Sequence, residues 1–329
     1  SWTTDEAADR EVEYGLTTSY GSTSGVLTPA ATSHSVQLSG LTPSTTYNYR
    51  VKSRDNSGNL ATSANNTFAT ASGAATTGIW ITSAEIASKP TSGAAWTALK
   101  SKADSACGTP ALSNQDDGTN VCILAAALAY ARTGTVSYRD KVVAAITSIV
   151  NSGTYSGRAL ALARELGTYA IAADLVNLQA VNPELETTFR AKLAELRSTP
   201  TTGGPIHLIE SHERRPNNWG NHAGASLIAV ARYFEYYGAP TVNVAASGAA
   251  RSANVVTFAT TTPHRFVVWN VGDPVTVAGM TDTSFNGNFT ITQIVSATSF
   301  KYAQSAANAT TDGGTVKLNA TAEIQRRAQ

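Results

Sequence analysis

The sequence predicts a multidomain chain: a β-sandwich, an all-α domain of helical hairpins, and a small all-β module inserted before the helices resume. Three observations predict it. Apolar residues alternate with period two within residues 1–70 and again within 241–319. Between those stretches, from Ile79 to Tyr237, they recur at helical spacing. The length of 329 residues accommodates two or three domains at roughly 100–200 residues each.

The first region, residues 1–70, is bounded by turn chemistry. Val36 and Leu38 alternate with polar neighbours, as do Tyr47, Tyr49 and Val51 around Asn48 and Arg50. Tyr20-Gly21-Ser22, Thr42-Pro43-Ser44 and Asp55-Asn56-Ser57-Gly58-Asn59 separate the runs. Short strands with regular turns read as a sandwich.

Two strands are expected early, Ser1 to Glu6 carrying Trp2 and Val12 to Gly15. The later segment Leu41-Thr42-Pro43-Ser44-Thr45-Thr46-Tyr47-Asn48-Tyr49-Arg50-Val51 follows. This pattern resembles a fibronectin type III domain, with Tyr47 at the tyrosine corner and the family's first strand missing before Ser1. The resemblance implies a spacer or adaptor with no chemistry of its own.

Small residues over 71–78 form a linker. Helices follow over 79–240. Trp96, Leu99 and Ala103 share a face, and Val121 to Arg132 is Ala-rich and apolar. Val142, Val143, Ile146, Ile149 and Val150 fall at helical spacing, and Leu160 to Leu178 is long and apolar. Leu185, Phe189, Leu193 and Leu196 make another stripe, and Trp219 to Tyr237 a further helix. Gly134, Gly153 and Asn182-Pro183 punctuate the gaps. Consecutive helices with short loops imply an α/α hairpin array.

Strand signals return over 241–319: Asn254 to Phe258, Phe266 to Trp269, Pro274 to Val277, Phe289 to Thr292 and Phe300 to Tyr302. Gly272-Asp273 and Asn286-Gly287 supply turns. Residues 320–329 read as helix again, so the helical domain is expected to resume there.

Composition limits the function. Charged residues are 14%, well under the ~25% of ordinary soluble proteins. Ala, Thr, Ser, Gly and Asn fill the gap, which suits a bacterial secreted, cell-surface or extracellular-matrix protein. The chain opens at Ser1 and Met280 is its only Met, so a signal peptide is expected to have been removed or to lie outside it. A net charge of +1 supplies no field for nucleic acid. No apolar run reaches the ~20 residues of a membrane span. Cys107 and Cys122, 15 apart, suit a disulfide; reduced cysteines near helix ends are the competing reading. Neither cysteine sits at zinc-site spacing, so no metal is expected. Phosphate loops and a Gly-x-Ser-x-Gly elbow are absent, and no cofactor is expected.

The richest polar stretch runs from His207 to His222: three His, two Arg and three Asn in 16 residues. Each member has a plain structural alternative. His207 suits a loop, His212 and Glu213 suit surface pairs, Arg214 and Arg215 a solvated turn, and Trp219 a core position. Asn221 and His222 open an Ala-rich helix where nothing structural calls for an imidazole. The His spacing lacks H-E-x-x-H, so zinc is excluded there.

Several segments now fall into one pattern. They are Ser113 to Asp116, Ala125 to Gly134, Gly157-Arg158 to Arg164, Tyr169 to Leu175, and Arg214-Arg215-Pro216-Asn217-Asn218-Trp219-Gly220-Asn221-His222-Ala223-Gly224. Together they resemble the alginate-lyase-like polysaccharide lyases, over about half the chain, and the last segment is the specific one. The resemblance implies a helical domain shaped as an incomplete α/α toroid and β-elimination on a uronate polymer. It places Asn221 as neutraliser of the sugar carboxylate, with Asn217 or Asn218 as alternatives, and His222 as the base. Arg215 would anchor a carboxylate and Trp219 stack on a sugar ring, with His212, Arg214 and Arg158 as further substrate contacts.

Such chemistry needs a neutralised carboxylate to stabilise the developing enolate. It also needs a base near pKa 7 for the C5 proton and an acid for O4. The family's Tyr and Arg lie downstream of its Asn-His helix, where this chain carries the β module. Tyr233, Tyr236 and Tyr237 sit too far along the helix of His222. That leaves Tyr130 and Tyr169. The partner implied is an anionic polysaccharide. Two other readings stay open: a glycoside hydrolase drawing two carboxylates from Asp116, Asp117, Glu210 and Glu213, and a non-catalytic adhesion protein.

Overall fold

The structure, a computed structural model, describes residues 1–36, 38, 46–69, 78–202 and 207–328. The chain forms two compact units, Ser1–Thr76 and Thr77–Gln329.

The first unit is built on one long strand, β1 (Trp2–Gly15). With it lie β2 (Ser22–Thr23), β3 (Leu27–His34), β4 (Thr46–Arg54), β5 (Leu60–Thr62) and β6 (Asn66–Ala69). The first part of β1 pairs with β3, from Trp2 opposite His34 to Arg10 opposite Leu27. Its second part pairs with β4, from Glu11 opposite Lys52 to Gly15 opposite Asn48. Register shifts between Thr3 and Ala8 and between Ala8 and Arg10 bend the strand so that it serves both partners.

The expected sandwich is therefore corrected. One curled six-stranded sheet replaces two separate layers, and the two strands expected before Gly15 are one. Tyr47 is buried and stacks on Phe68 at 5.7 Å. The Thr42-Pro43-Ser44 turn and the linker up to Thr77 lie outside the described residues.

The second unit opens with α1 (Ser83–Ser88), α2 (Ala94–Asp104), α3 (Thr119–Thr133), α4 (Val136–Asn151) and α5 (Ala159–Leu175). Then come α6 (Leu178–Val181), α7 (Pro183–Ser198), α8 (Leu208–Arg214) and α9 (Asn218–Tyr237). Local chemistry sets the ends. Thr82 and Glu85 cap α1 reciprocally. Gly134 closes α3 in the left-handed region. Asn182 accepts from the Leu185 amide ahead of Pro183 in α7.

Strands follow: β7 (Val242–Ser252), β8 (Val255–Thr260), β9 (Pro274–Met280), β10 (Gly287–Ser296), β11 (Ser299–Ala303), β12 (Ala309–Thr311) and β13 (Gly313–Leu318). The path β7-β13-β9-β10-β11-β8 returns to β7 and closes as a barrel, with β12 beside β7. Alternate residues fill it: Val256, Phe258, Val275, Val277, Phe300 and Tyr302 are all buried. The strand expected over Phe266 to Trp269 is not formed. Val268–Asn270 is a single 3₁₀ turn, held by the Val267 amide on the buried Asn270 side chain at 2.6 Å.

The last helix, α10 (Ala320–Arg327), packs on α9, and Thr321 Oγ1 donates to Glu235 at 2.7 Å. Buried charges tie it to the rest. Arg327 reaches Asp273 at 2.8 Å, and Glu323 pairs with Arg197 of α7. Arg326 and Arg327 both meet Glu213 of α8. One hydrophobic core runs from Ala103 and Ile146 through Tyr233 to Val275, Phe300 and Val316.

The expected all-α toroid with a separate all-β module is thus also corrected. This unit is mixed, with helices and barrel in a single compact body. Periodicity reports which face of each segment is apolar, and not which other segment covers it.

Candidate functional site

The geometry of the polar stretch is set by two glycines of α9. A Cβ at Gly220 would lie 1.9 Å from the Arg215 carbonyl oxygen, and one at Gly224 would lie 2.7 Å from His212 Nδ1. Gly220 permits the approach of the Arg215 turn to α9, and Gly224 leaves room for the His212 ring. His212 is accordingly half-buried against α9, with Nδ1 at 3.5 Å from the Gly220 carbonyl.

The other face of α9 is open. Asn218, Asn221, His222 and Ala225 are all exposed. Offsets of three, four and seven residues put them on one stripe. Asn217 is the N-cap and its side chain accepts from the Trp219 amide at 3.0 Å, so its amide oxygen has a structural task. The Arg215 guanidinium sits 5.0 Å over the half-buried Trp219 ring. Arg214 pairs with the buried Glu210 at 2.9 Å. His207 lies 3.8 Å from Glu210, and burial holds its pKa below the ordinary imidazole value against the pull of that carboxylate.

Arg158 joins this end of the unit by helix register. Gly167 of α5 meets Ser226 of α9, and Asp174 meets Tyr237. The two helices therefore run parallel, which brings exposed Arg158, just before α5, level with the start of α9. Two parallel helices also present their positive dipole ends together there, which favours an anion.

The remaining candidates are separated from this surface. Tyr169 and Tyr233 are fully buried. Tyr237 donates to Asp174 at 2.7 Å. Tyr236 is exposed, but 14 positions beyond His222 it lies about 21 Å along the helix axis. Tyr130 on α3 is half-buried and packs against the hydrophobic core, keeping partial solvent access.

The carboxylates are also engaged. Glu213 meets Arg326 and Arg327. Asp117 accepts from the Ala111 amide and from the Thr119 amide and hydroxyl. Cys107 and Cys122 are joined as a disulfide, Cα to Cα 5.3 Å.

No family model, curated protein or solved structure matches the chain.

The stripe of Asn218, Asn221, His222 and Ala225 is open surface. Among the described residues no group of three or more His, Cys, Asp or Glu is placed to hold a metal ion.

Sequence reasoning passed over one titratable group, Glu165 of α5. It is 1% exposed, and burial pushes its pKa up to about 8, helped by the nearby Asp117 charge. Its Oε2 and the Tyr169 hydroxyl are buried without hydrogen-bond partners. The signal was available as a lone Glu inside the apolar run Leu160 to Leu175.

Proposed function

We propose that this chain acts on a uronate-containing, alginate-type polysaccharide by β-elimination, in a secreted or cell-surface setting. The observation that carries the reading is the exposed pair Asn221 and His222, neighbours in the first turns of α9, beside the Arg215–Trp219 stack. The amide of Asn221, with Asn218 one turn before it, neutralises the sugar carboxylate. The imidazole of His222 takes the C5 proton, the C4=C5 double bond forms as the C4–O4 bond breaks, and water at the open stripe protonates the departing O4. Arg215 and Arg158 bind flanking carboxylates.

The resemblance of Arg214 to Gly224 to the alginate-lyase-like lyases supports this assignment of roles. The disulfide fits an oxidising compartment. The hydrolase reading loses support because Glu210, Glu213 and Asp117 each have ionic or capping partners, which leaves Asp116 alone. A second reading, acidic-glycan binding without cleavage, is favoured by the open setting of the stripe and by the core roles of Tyr233 and Tyr237.

The test is incubation with a polyuronate and with a neutral glucan, following the ultraviolet absorbance of the unsaturated uronate. A rise on the polyuronate alone supports elimination. Polyuronate binding with no rise selects the second reading. New reducing ends without absorbance would overturn both.

A further inference from the structure

A separate cleft of about 530 Å³ lies in the second unit, where the end of α4 and one face of α7 meet the barrel rim. Its size falls in the roughly 300–1,000 Å³ range of ligand sites. Lys192 and Glu195 of α7 and Arg265 of the β8–β9 connection supply its charges.

Lys192 is saturated. Its ammonium donates to the Ser152 carbonyl at 2.9 Å, the Gly153 carbonyl at 3.1 Å and the Glu195 carboxylate at 3.1 Å. Lys192 and Glu195 therefore neutralise one another, and Arg265 is left as the uncompensated charge. Its side chain is exposed and makes no hydrogen bond or ion pair with the described residues. The hydroxyls of Thr154, Thr241 and Thr262, which also line the cleft, make no hydrogen bonds among the described residues either.

The backbone holds that arginine in place. Arg265 has φ of 62°, in the left-handed region where a non-glycine residue is strained. The buried residues on either side enforce it. The His264 amide donates to the Ala297 carbonyl at 3.0 Å, and the Phe266 amide donates to His264 Nδ1 at 3.0 Å. The His264 ring stacks on Phe266 at 5.0 Å and meets Phe300 edge-on. Two anchored rings thus turn the residue between them towards solvent at the cleft.

We propose that this cleft is a second binding site, for a carboxylate-bearing sugar residue, with Arg265 gripping the carboxylate and the three threonines bonding ring hydroxyls. One net positive charge matches one carboxylate per sugar. The choice of a uronate polymer rests on the function proposed above. The cleft's selection of an anionic over a neutral sugar rests on Arg265.

The test uses the full chain labelled with ¹⁵N, titrated with a tetra-uronate and with a neutral tetrasaccharide. Amide resonances of Thr154, Thr241, Thr262 and Arg265 report the cleft, and those of Asn218 to His222 report the α9 stripe. The uronate is expected to shift the cleft amides saturably, and the neutral sugar to leave them in place.

Arg265→Gly keeps the left-handed backbone, so it separates loss of the guanidinium from loss of the fold. It should weaken cleft binding about ten-fold or more while the α9 shifts persist. Ala191→Trp, which fills the cleft, should abolish the cleft shifts. Shifts at the cleft alone uphold this site and remove the α9 reading. Shifts at α9 alone, or at neither place, overturn the cleft site. Unchanged cleft affinity in both variants overturns it as well.

Discussion

The hydroxyl of Ser226 accepts the Gly167 amide at 2.9 Å and donates to the Ala163 carbonyl at 2.7 Å. A side chain of α9 is thereby set against the main chain of α5. A Cβ at position 167 would come within 3.1 Å of Ser226 Cα, so the glycine permits the contact that the serine completes. This pair fixes the parallel register that brings Arg158 level with Asn218. Ser226→Ala leaves a buried amide and carbonyl with less than their full partners and should cost about 1–3 kcal/mol. Urea unfolding measures it, with an unchanged m-value expected.

The α8–α9 contact makes a distinct prediction. Gly224→Ala places a methyl 2.7 Å from His212 Nδ1, and the ring must move. His212→Ala removes that obstacle. The two substitutions should couple by about 0.5–3 kcal/mol in a double-mutant cycle. Gly220→Ala faces the Arg215 carbonyl instead, with no side chain to yield. It should destabilise however His212 is altered.

Glu165 gives a pH signature. Its folded pKa of about 8 lies above its ordinary value of 4.5, so the folded protein holds the proton more tightly than the unfolded chain. The penalty for ionising it is absent below about pH 4.5, grows as pH rises, and is complete above about 8. Glu165→Gln should therefore raise stability at pH 8.5 to 9 by on the order of a few kcal/mol, with little change at pH 4. Thermal melts at the two pH values check it. A pH-independent difference would remove the assignment.

Much of the helical layer was legible because its signals are local. The Leu185, Phe189, Leu193 and Leu196 stripe behind Asn182-Pro183 became α7, and the run from Leu160 became α5, ending before left-handed Asn177. What failed was long-range. Nothing within Trp2 to Gly15 announces that one bulged strand will pair with both β3 and β4. Nor does any single strand reveal that β8 turns back to β7 and closes a barrel. Phe266 looks like strand sequence, yet its neighbour His264 anchors a loop and Asn270 a 3₁₀ turn.

In the candidate site, the placement of Asn221 and His222 at the start of a helix was readable from the text. The cap role of Asn217 and the engagement of Glu213 by Arg326 and Arg327 were not, because they depend on neighbours brought together by folding.

The disulfide closes a loop of 15 residues ahead of and into α3. Reduction should lower stability by about 3 kcal/mol on the chain-entropy account. Melting with and without a thiol reductant tests this, and the Cys107→Ser, Cys122→Ser double variant should reproduce the reduced protein.

The proposed function rests on His222 removing a proton from a uronate held by Asn221. The most direct measurement is the initial rate of unsaturated-uronate formation from a polyuronate by the wild-type chain and by His222→Ala, with polymer binding measured in parallel. A rate at least about 100-fold lower in the variant, with binding retained, is expected. A variant that cleaves as fast as the wild type, or a wild-type chain that binds the polymer and never cleaves it, would contradict the claim.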